Sequence, residues 1–267
     1  METALERWQK IVQTRAAQMD TAYAHLGRSS ADFWERRARG FHRATRERAT
    51  SDPFYLHVRE VLTRQATLLD VGAGTGRFSI AFAPLVEQVI ALEPSAPMLN
   101  FLHEELNARG ITNVQTLQMA WEEASADLHA DFVICSHVLY PLLEIGPFLQ
   151  KLNIASMHAC YLYLRATHID ALTAPLWRHF HGEERCLPPC YIHVLDVLFE
   201  MGIYAQVQVV RLPFALSYPS LQDAEDELIE QLILEDRIET RRELKRLLED
   251  WLVSDETGWH SPSQEMV

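Results

Sequence analysis

Apolar side chains recur at helical spacing at the start of the chain, at Leu5, Trp8, Val12, Ala16, Met19, Tyr23 and Leu26, and Gly27 follows as a stop. One amphipathic helix is therefore predicted over residues 1–27. Ser29 and Asp32 ahead of Phe33, Trp34, Ala38 and Phe41 predict a second, capped helix, and Asp52-Pro53 opens a third through Val58 and Leu62. From residue 66 the pattern changes to short apolar runs separated by helical segments. Strands are predicted at Thr67 to Val71, Gln88 to Glu93, Val114 to Met119, Asp131 to Ser136, Cys160 to Arg165 and Ala205 to Leu212. Helices are predicted at Arg77 to Val86, Ser95 to Arg109 before Gly110, Leu143 to Met157, and Pro189 to Met201 before Gly202. Apolar strands alternating with amphipathic helices suit a parallel sheet covered on both faces, so the expected fold is a doubly wound α/β domain. After Pro219 the chain turns helical and charged from Asp223 to Trp251, and no element is predicted from Ser254 to Val267. The expected organisation is a helical extension over 1–65, an α/β core over 66–219, and a helical segment and tail over 220–267.

The first predicted strand runs into Asp70-Val71-Gly72-Ala73-Gly74-Thr75-Gly76 and then directly into a helix. Alternating glycines let the backbone bend tightly and approach a ligand closely. A dinucleotide fingerprint fails in both registers, because Arg77 or Ser79 stands where its third glycine belongs, and the Gly-Lys-Ser/Thr of a phosphate loop is absent. The next strand ends at Glu93, where a carboxylate can accept two ribose hydroxyl protons. Glu93 alone suits a dinucleotide's adenosine ribose equally well. By the switch-point rule, ligands lie outside the carboxyl ends of such strands, which draws attention to Ser136, His137 and Tyr140 after the fourth.

The spacing D-x-G-x-G-x-G followed by Glu93 resembles the first motifs of the class I methyltransferases. The resemblance implies S-adenosylmethionine as cofactor and a seven-stranded, mostly parallel Rossmann-like sheet. It places Asp70, Gly72, Ala73, Gly74, Gly76, Glu93, Pro94 and Met98 in the cofactor pocket. In that family an acid after the third strand often meets the adenine amino group, but here Gln118-Met119-Ala120-Trp121-Glu122 puts Met119 at that point. Met119, Ala120 and Trp121 are then the expected adenine contacts, with Trp121 read either as a stacking ring or as a core side chain. Ser136 and His137 complete the cofactor set.

Methyl transfer from a sulfonium is an in-line displacement that rests largely on orientation in a dry pocket, so no fixed triad is expected. His137 has the position and the ordinary pKa of about 6.5 for a general base, and Tyr140 is its companion candidate as a substrate contact. The alternative for His137 is a ring that donates to a backbone carbonyl and shapes the cofactor wall. The segment after the fourth strand lacks the Asn/Asp-Pro-Pro turn of exocyclic amine methyltransferases, and Cys135 follows Ile134 rather than proline. Asp131 stands at the wrong end of its strand for metal-assisted chemistry. A loop at 168–188 is expected to cover the acceptor, with His168, Trp177, His181 and Glu183 as contacts, and Trp34 in the N-terminal helices as a further one.

Composition narrows the partners. The 267 residues carry 24 Lys+Arg against 37 Asp+Glu, a formal charge of −13, which repels phosphate backbones and favours a small-molecule acceptor. Against that stand Arg36, Arg37, Arg39, Arg43, Arg46 and Arg48, which would serve an RNA or protein acceptor if they form a docking face rather than a solvated one. A third reading is an assembly protein that kept the fold but lost transfer. The charged stretch Met1 to Trp8 does not read as a secretory leader, and no uncharged apolar run reaches the length of a bilayer span, so the expectation is a soluble, cytoplasmic protein. Cys135, Cys160, Cys186 and Cys190 read as free thiols, and the His179 to His193 segment lacks paired zinc knuckles, so no metal is expected.

Overall fold

A computed structural model of the chain describes residues 2–28 and 49–266. The predicted second helix, with Trp34 and Arg36 to Arg48, lies outside the described residues. The chain forms two compact units, one of Met1–Gln9, Ala31–Leu164 and Asp196–Ile203, the other of Lys10–Ser30, Arg165–Leu195 and Tyr204–Val267.

Helix α1 (Ala4–His25) opens the chain. Its Trp8 is fully buried, and the indole donates to the Leu142 carbonyl at 2.6 Å within the first unit. Helix α2 (Pro53–Val58) starts as the sequence predicts, with Asp52 accepting from the Phe54 N–H at 2.8 Å and Pro53 in the first turn, where its missing N–H costs nothing.

The sheet follows: β1 (Thr67–Val71), helix α3 (Arg77–Phe82), β2 (Gln88–Leu92), helix α4 (Ala96–Arg109), β3 (Val114–Leu117), β4 (Ala130–Ser136), helix α5 (Ile145–Ala155) and β5 (Ser156–Tyr163). All pairs are parallel and the order is β3-β2-β1-β4-β5. Register places Leu68, Val89 and Phe132 side by side on one face, where Phe54, Tyr55 and Val58 of α2 and Phe78 and Phe82 of α3 close the core over them. Leu69, Val71, Val133 and Cys135 alternate to the other face and are almost fully buried, as a sheet covered on both sides requires. Asp131 has a structural task at the amino end of β4: one of its oxygens accepts from both the N–H and the hydroxyl of Thr67.

The sheet corrects the expected strand number, with five parallel strands among the described residues instead of seven. The predicted strand at 205–212 is absent over 204–211, where Val207 and Val209 are half exposed. Only β6 (Leu212–Phe214) pairs there, antiparallel with β10 (Gln264–Met266). Alternation of apolar and polar residues suits a strand but supplies no neighbour to hydrogen-bond with, and that neighbour decides.

In the second unit, the segment expected as a covering loop forms helix α6 (Asp170–His181) instead, with Leu172, Leu176 and Trp177 at helical spacing on its buried side and left-handed Gly182 as its C-cap. Pro175 sits inside it without ending it. Helix α7 (Tyr191–Glu200), which belongs to this unit only as far as Leu195, β7 (Ser217–Tyr218), α8 (Leu221–Gln231) and α9 (Ile238–Trp251) come next. The tail, for which no element is predicted, pairs as well: β8 (Val253–Asp255) and β9 (Gly258–His260) form a hairpin, and β9 also pairs with β7. No helix among the described residues is long and apolar enough to cross a membrane.

Candidate active site

The carboxyl ends of β1, β2 and β4 come together in the first unit because these strands are neighbours in the sheet. After β1 the backbone N–H groups of Gly72 and Ala73 both donate to the Leu92 carbonyl of β2, at 2.8 and 3.0 Å. The loop is thereby fixed against the strand that carries Glu93. Gly72, Gly74 and Gly76 all have left-handed φ, of 75°, 56° and 83°. At two of these positions the room a glycine leaves is taken by the protein itself. A Cβ on Gly72 would lie 2.3 Å from Val138 Cγ2, and one on Gly76 would lie 2.2 Å from Leu102 Cδ1. Close approach is thus needed for packing at Gly72 and Gly76, where the sequence suggested an approach to a ligand.

Glu93 is 8 % exposed. One carboxylate oxygen accepts from the Gly74 N–H and the other from the Ser95 N–H, each at 2.9 Å. Burial raises its pKa, and the N–H groups of Ser95 and Gly74 partly offset the rise. Asp70 lies below the loop on β1, buried, and accepts a 2.6 Å hydrogen bond from the Ser79 hydroxyl of α3. Burial pushes its carboxyl up to about 6, a rise the Ser79 hydroxyl opposes and the nearby Glu93 charge reinforces. Beyond Glu93, Pro94 is exposed, Ser95 caps α4, and Met98 in the first turn is buried.

After β3, Met119 and Ala120 are half-buried. Trp121 is not an open platform: it is 3 % exposed, its ring edge meets Phe148, and the Lys151 ammonium lies 4.8 Å from its centroid. The same ammonium donates to the carbonyls of Trp121, Glu122 and Ala124, which pins this turn to α5. Of its two sequence readings, the structure shows Trp121 as a core side chain.

At the end of β4, Ser136, His137 and Tyr140 are all half-buried. His137 takes a left-handed φ of 59°, which is rare for a residue with a Cβ and costs on the order of 1–2 kcal/mol. Its N–H donates to the Tyr163 carbonyl at 2.9 Å, its Nδ1 lies 3.0 Å from the Tyr140 hydroxyl, and its ring centroid is 4.8 Å from that of Tyr163. Tyr163 in turn stacks on Phe54, centroids 4.8 Å apart and rings 6° from parallel. The sequence points to His137 and Tyr140 and passes over Tyr163, whose position across from Ser136 in the β4–β5 register only pairing reveals. It also missed the Asp52–Arg77 ion pair, which joins the α2 cap to the first residue after the glycine loop.

The expected contacts His168, Trp177 and His181 belong to the second unit and meet partners within it. Asp170, 2 % exposed, receives Arg15 at 2.6 Å, Arg185 at 3.1 Å and the Gln231 amide at 3.3 Å, with His168 at 3.5 Å. Burial would raise the Asp170 carboxyl, but the bond to His168 and the charges of Arg185, His168 and Arg15 hold it well below the carboxylate range. Trp177, 1 % exposed, lies between the His181 ring, 3.9 Å away, and the Arg185 guanidinium, 4.7 Å away. His181 Nε2 lies 2.7 Å from the Leu232 carbonyl, and burial lowers its pKa. His168, Trp177 and His181 are thus gathered around one buried ion network.

Comparison with known proteins matches residues 68–153 to the family described as a methyltransferase domain. An uncharacterized protein of Haemophilus influenzae is 26 % identical over 164 residues, which cover 58 % of this chain and 57 % of that protein. A tRNA/tmRNA (uracil-C(5))-methyltransferase of Azoarcus is 40 % identical over 60 residues, 22 % of this chain and 16 % of that one. The chain therefore spans little more than half the length of the first relative and a small part of the second. The YcgJ protein of Bacillus subtilis shares the fold, with a TM-score of 0.52 at 13 % identity over 79 % of this chain and 94 % of that one. The glycine loop, Glu93 and the end of β4 all fall inside residues 68–153, the segment that is similar to the methyltransferase domain family.

Proposed function

We propose that this chain takes a methyl group from S-adenosylmethionine and places it on a small-molecule acceptor. The observation that carries the cofactor part is the Glu93 carboxylate. Its two oxygens offer about four lone-pair directions, and the backbone N–H groups of Gly74 and Ser95 use one on each oxygen. What is left is one acceptor direction per oxygen, which fits the two hydroxyls of a ribose. Gly72, Ala73 and Gly74 would lie along the methionine and ribose portions, Pro94 and Met98 beside the ribose, and Met119 and Ala120 along the adenine.

When bound, S-adenosylmethionine supplies a methyl group on a cationic sulfur, open to in-line displacement. The residues of this chain would do the rest. Glu93 and the loop orient the donor, which is the larger part of such catalysis. Ser136 and His137 stand at the switch-point edge where the acceptor would enter. His137 would take a proton from a hydroxyl or protonated amine acceptor, with Tyr140 at its Nδ1 fixing the ring.

A net charge of −13 supports a small acceptor over a polyanion. The second reading, an RNA acceptor, is favoured by the short stretch of identity with the Azoarcus tRNA/tmRNA enzyme and by Arg36 to Arg48. Incubation with methyl-labelled cofactor and fractionated cell extract separates them. Label in the small-molecule fraction is expected; label only in RNA or protein contradicts the acceptor class, and label in no fraction contradicts transfer.

A further inference from the structure

We propose that Tyr163 is a positioning residue for His137, holding a strained backbone so that the imidazole keeps one orientation at the mouth of the site. The inference rests on the reading of His137 as the base. Left-handed φ in a residue with a Cβ persists only where its surroundings over-determine it. Here Tyr163 acts on His137 twice: its carbonyl takes the His137 N–H at 2.9 Å, and its ring packs against the imidazole at 4.8 Å and 40°. Tyr163 is itself immobilised, because Phe54 stacks on it and Phe78 meets it edge-on at 6.3 Å, both rings belonging to the buried core. The core of α2 and α3 therefore reaches the reacting end of β4 through one side chain. With the ring so held, Nδ1 stays within reach of the Tyr140 hydroxyl at 3.0 Å, and the partner of one imidazole nitrogen fixes the role of the other.

The readout is the pair of imidazole 15N shifts of His137 in the full chain, whose separation reports the tautomer preference. Both Tyr163→Leu and Tyr163→Phe keep the main-chain carbonyl; Tyr163→Leu, which loses the ring, is expected to shrink that separation by about half or more, while Tyr163→Phe, which keeps the ring, retains it. Leu106→Ala opens a core defect in a separate buried cluster, which does not include Tyr163, and is expected to leave the His137 signals in place. An unchanged separation in Tyr163→Leu overturns the proposal, and so does an equal collapse in Leu106→Ala, which would mean general loosening. Calorimetry with S-adenosylhomocysteine is run on each variant. Failure of the parent chain to bind it contradicts the proposed function, whereas binding with an unresponsive His137 contradicts this inference alone.

Discussion

Asp70 shows how a single side chain can cost stability in order to hold a site. Its carboxyl has an ordinary pKa of 3.8 and titrates near 6 in the fold, chiefly because it is buried. Between those values the folded state binds the extra proton, so stability falls as pH rises from about 4 to about 6 and then levels off. A rise from 3.8 to about 6 corresponds to about 3 kcal/mol. Asp70→Asn is expected to flatten that dependence, read as the difference between parent and variant in urea midpoints at pH 4 and pH 7. Parallel pH curves for the two proteins would contradict the assignment. Glu93, also raised by burial, keeps its oxygens on two backbone N–H groups, which is why it and not Asp70 is the candidate for the ribose.

At the scale of elements, the glycine loop is a joint between strand and helix before it is a binding surface. Gly76 takes φ 83° as the N-cap of α3 and lets Leu102 of α4 lie against it. Gly76→Ala is expected to cost about 2 kcal/mol or more, because left-handed strain and a clash with Leu102 add. A denaturant titration showing no loss would refute this account of the joint. These elements were legible in the sequence where a local signal specifies them: the Asp52 cap, the helix start at Ser95, the Gly110 stop and the apolar runs of β1, β2 and β4 all stand within a residue or two of expectation. Legibility failed where pairing decides. Residues 205–212 alternate like a strand and pair only at their end, whereas 253–260 carry little apolar signal and form a hairpin. Helix α6 was hidden in a segment rich in polar rings and proline, and Tyr163 gained its place beside His137 from strand register.

For the molecule as a whole, the two units rest on different physics. The first is an apolar sheet core. The second has an ion network at its centre, with the Arg15, Arg185 and Asp170 side chains 16 %, 3 % and 2 % exposed. Removing the anion leaves two guanidinium groups poorly paired, so Asp170→Asn is expected to destabilise the protein by about 3 kcal/mol. Because the Asp170 carboxyl is held well below its ordinary range, its contribution is present above pH 4 and fades as pH falls towards the depressed value. Thermal unfolding of the variant with an unchanged midpoint at pH 7 would contradict this.

The central claim concerns the first unit, that its glycine loop and Glu93 hold S-adenosylmethionine. Calorimetric titration of the parent chain and of Glu93→Ala with S-adenosylhomocysteine tests it directly. Losing a buried carboxylate's bonds to two hydroxyls is expected to weaken binding by about tenfold or more. Saturable binding in the parent that drops in the variant is the predicted result; no binding to the parent, or equal binding to both, would contradict it.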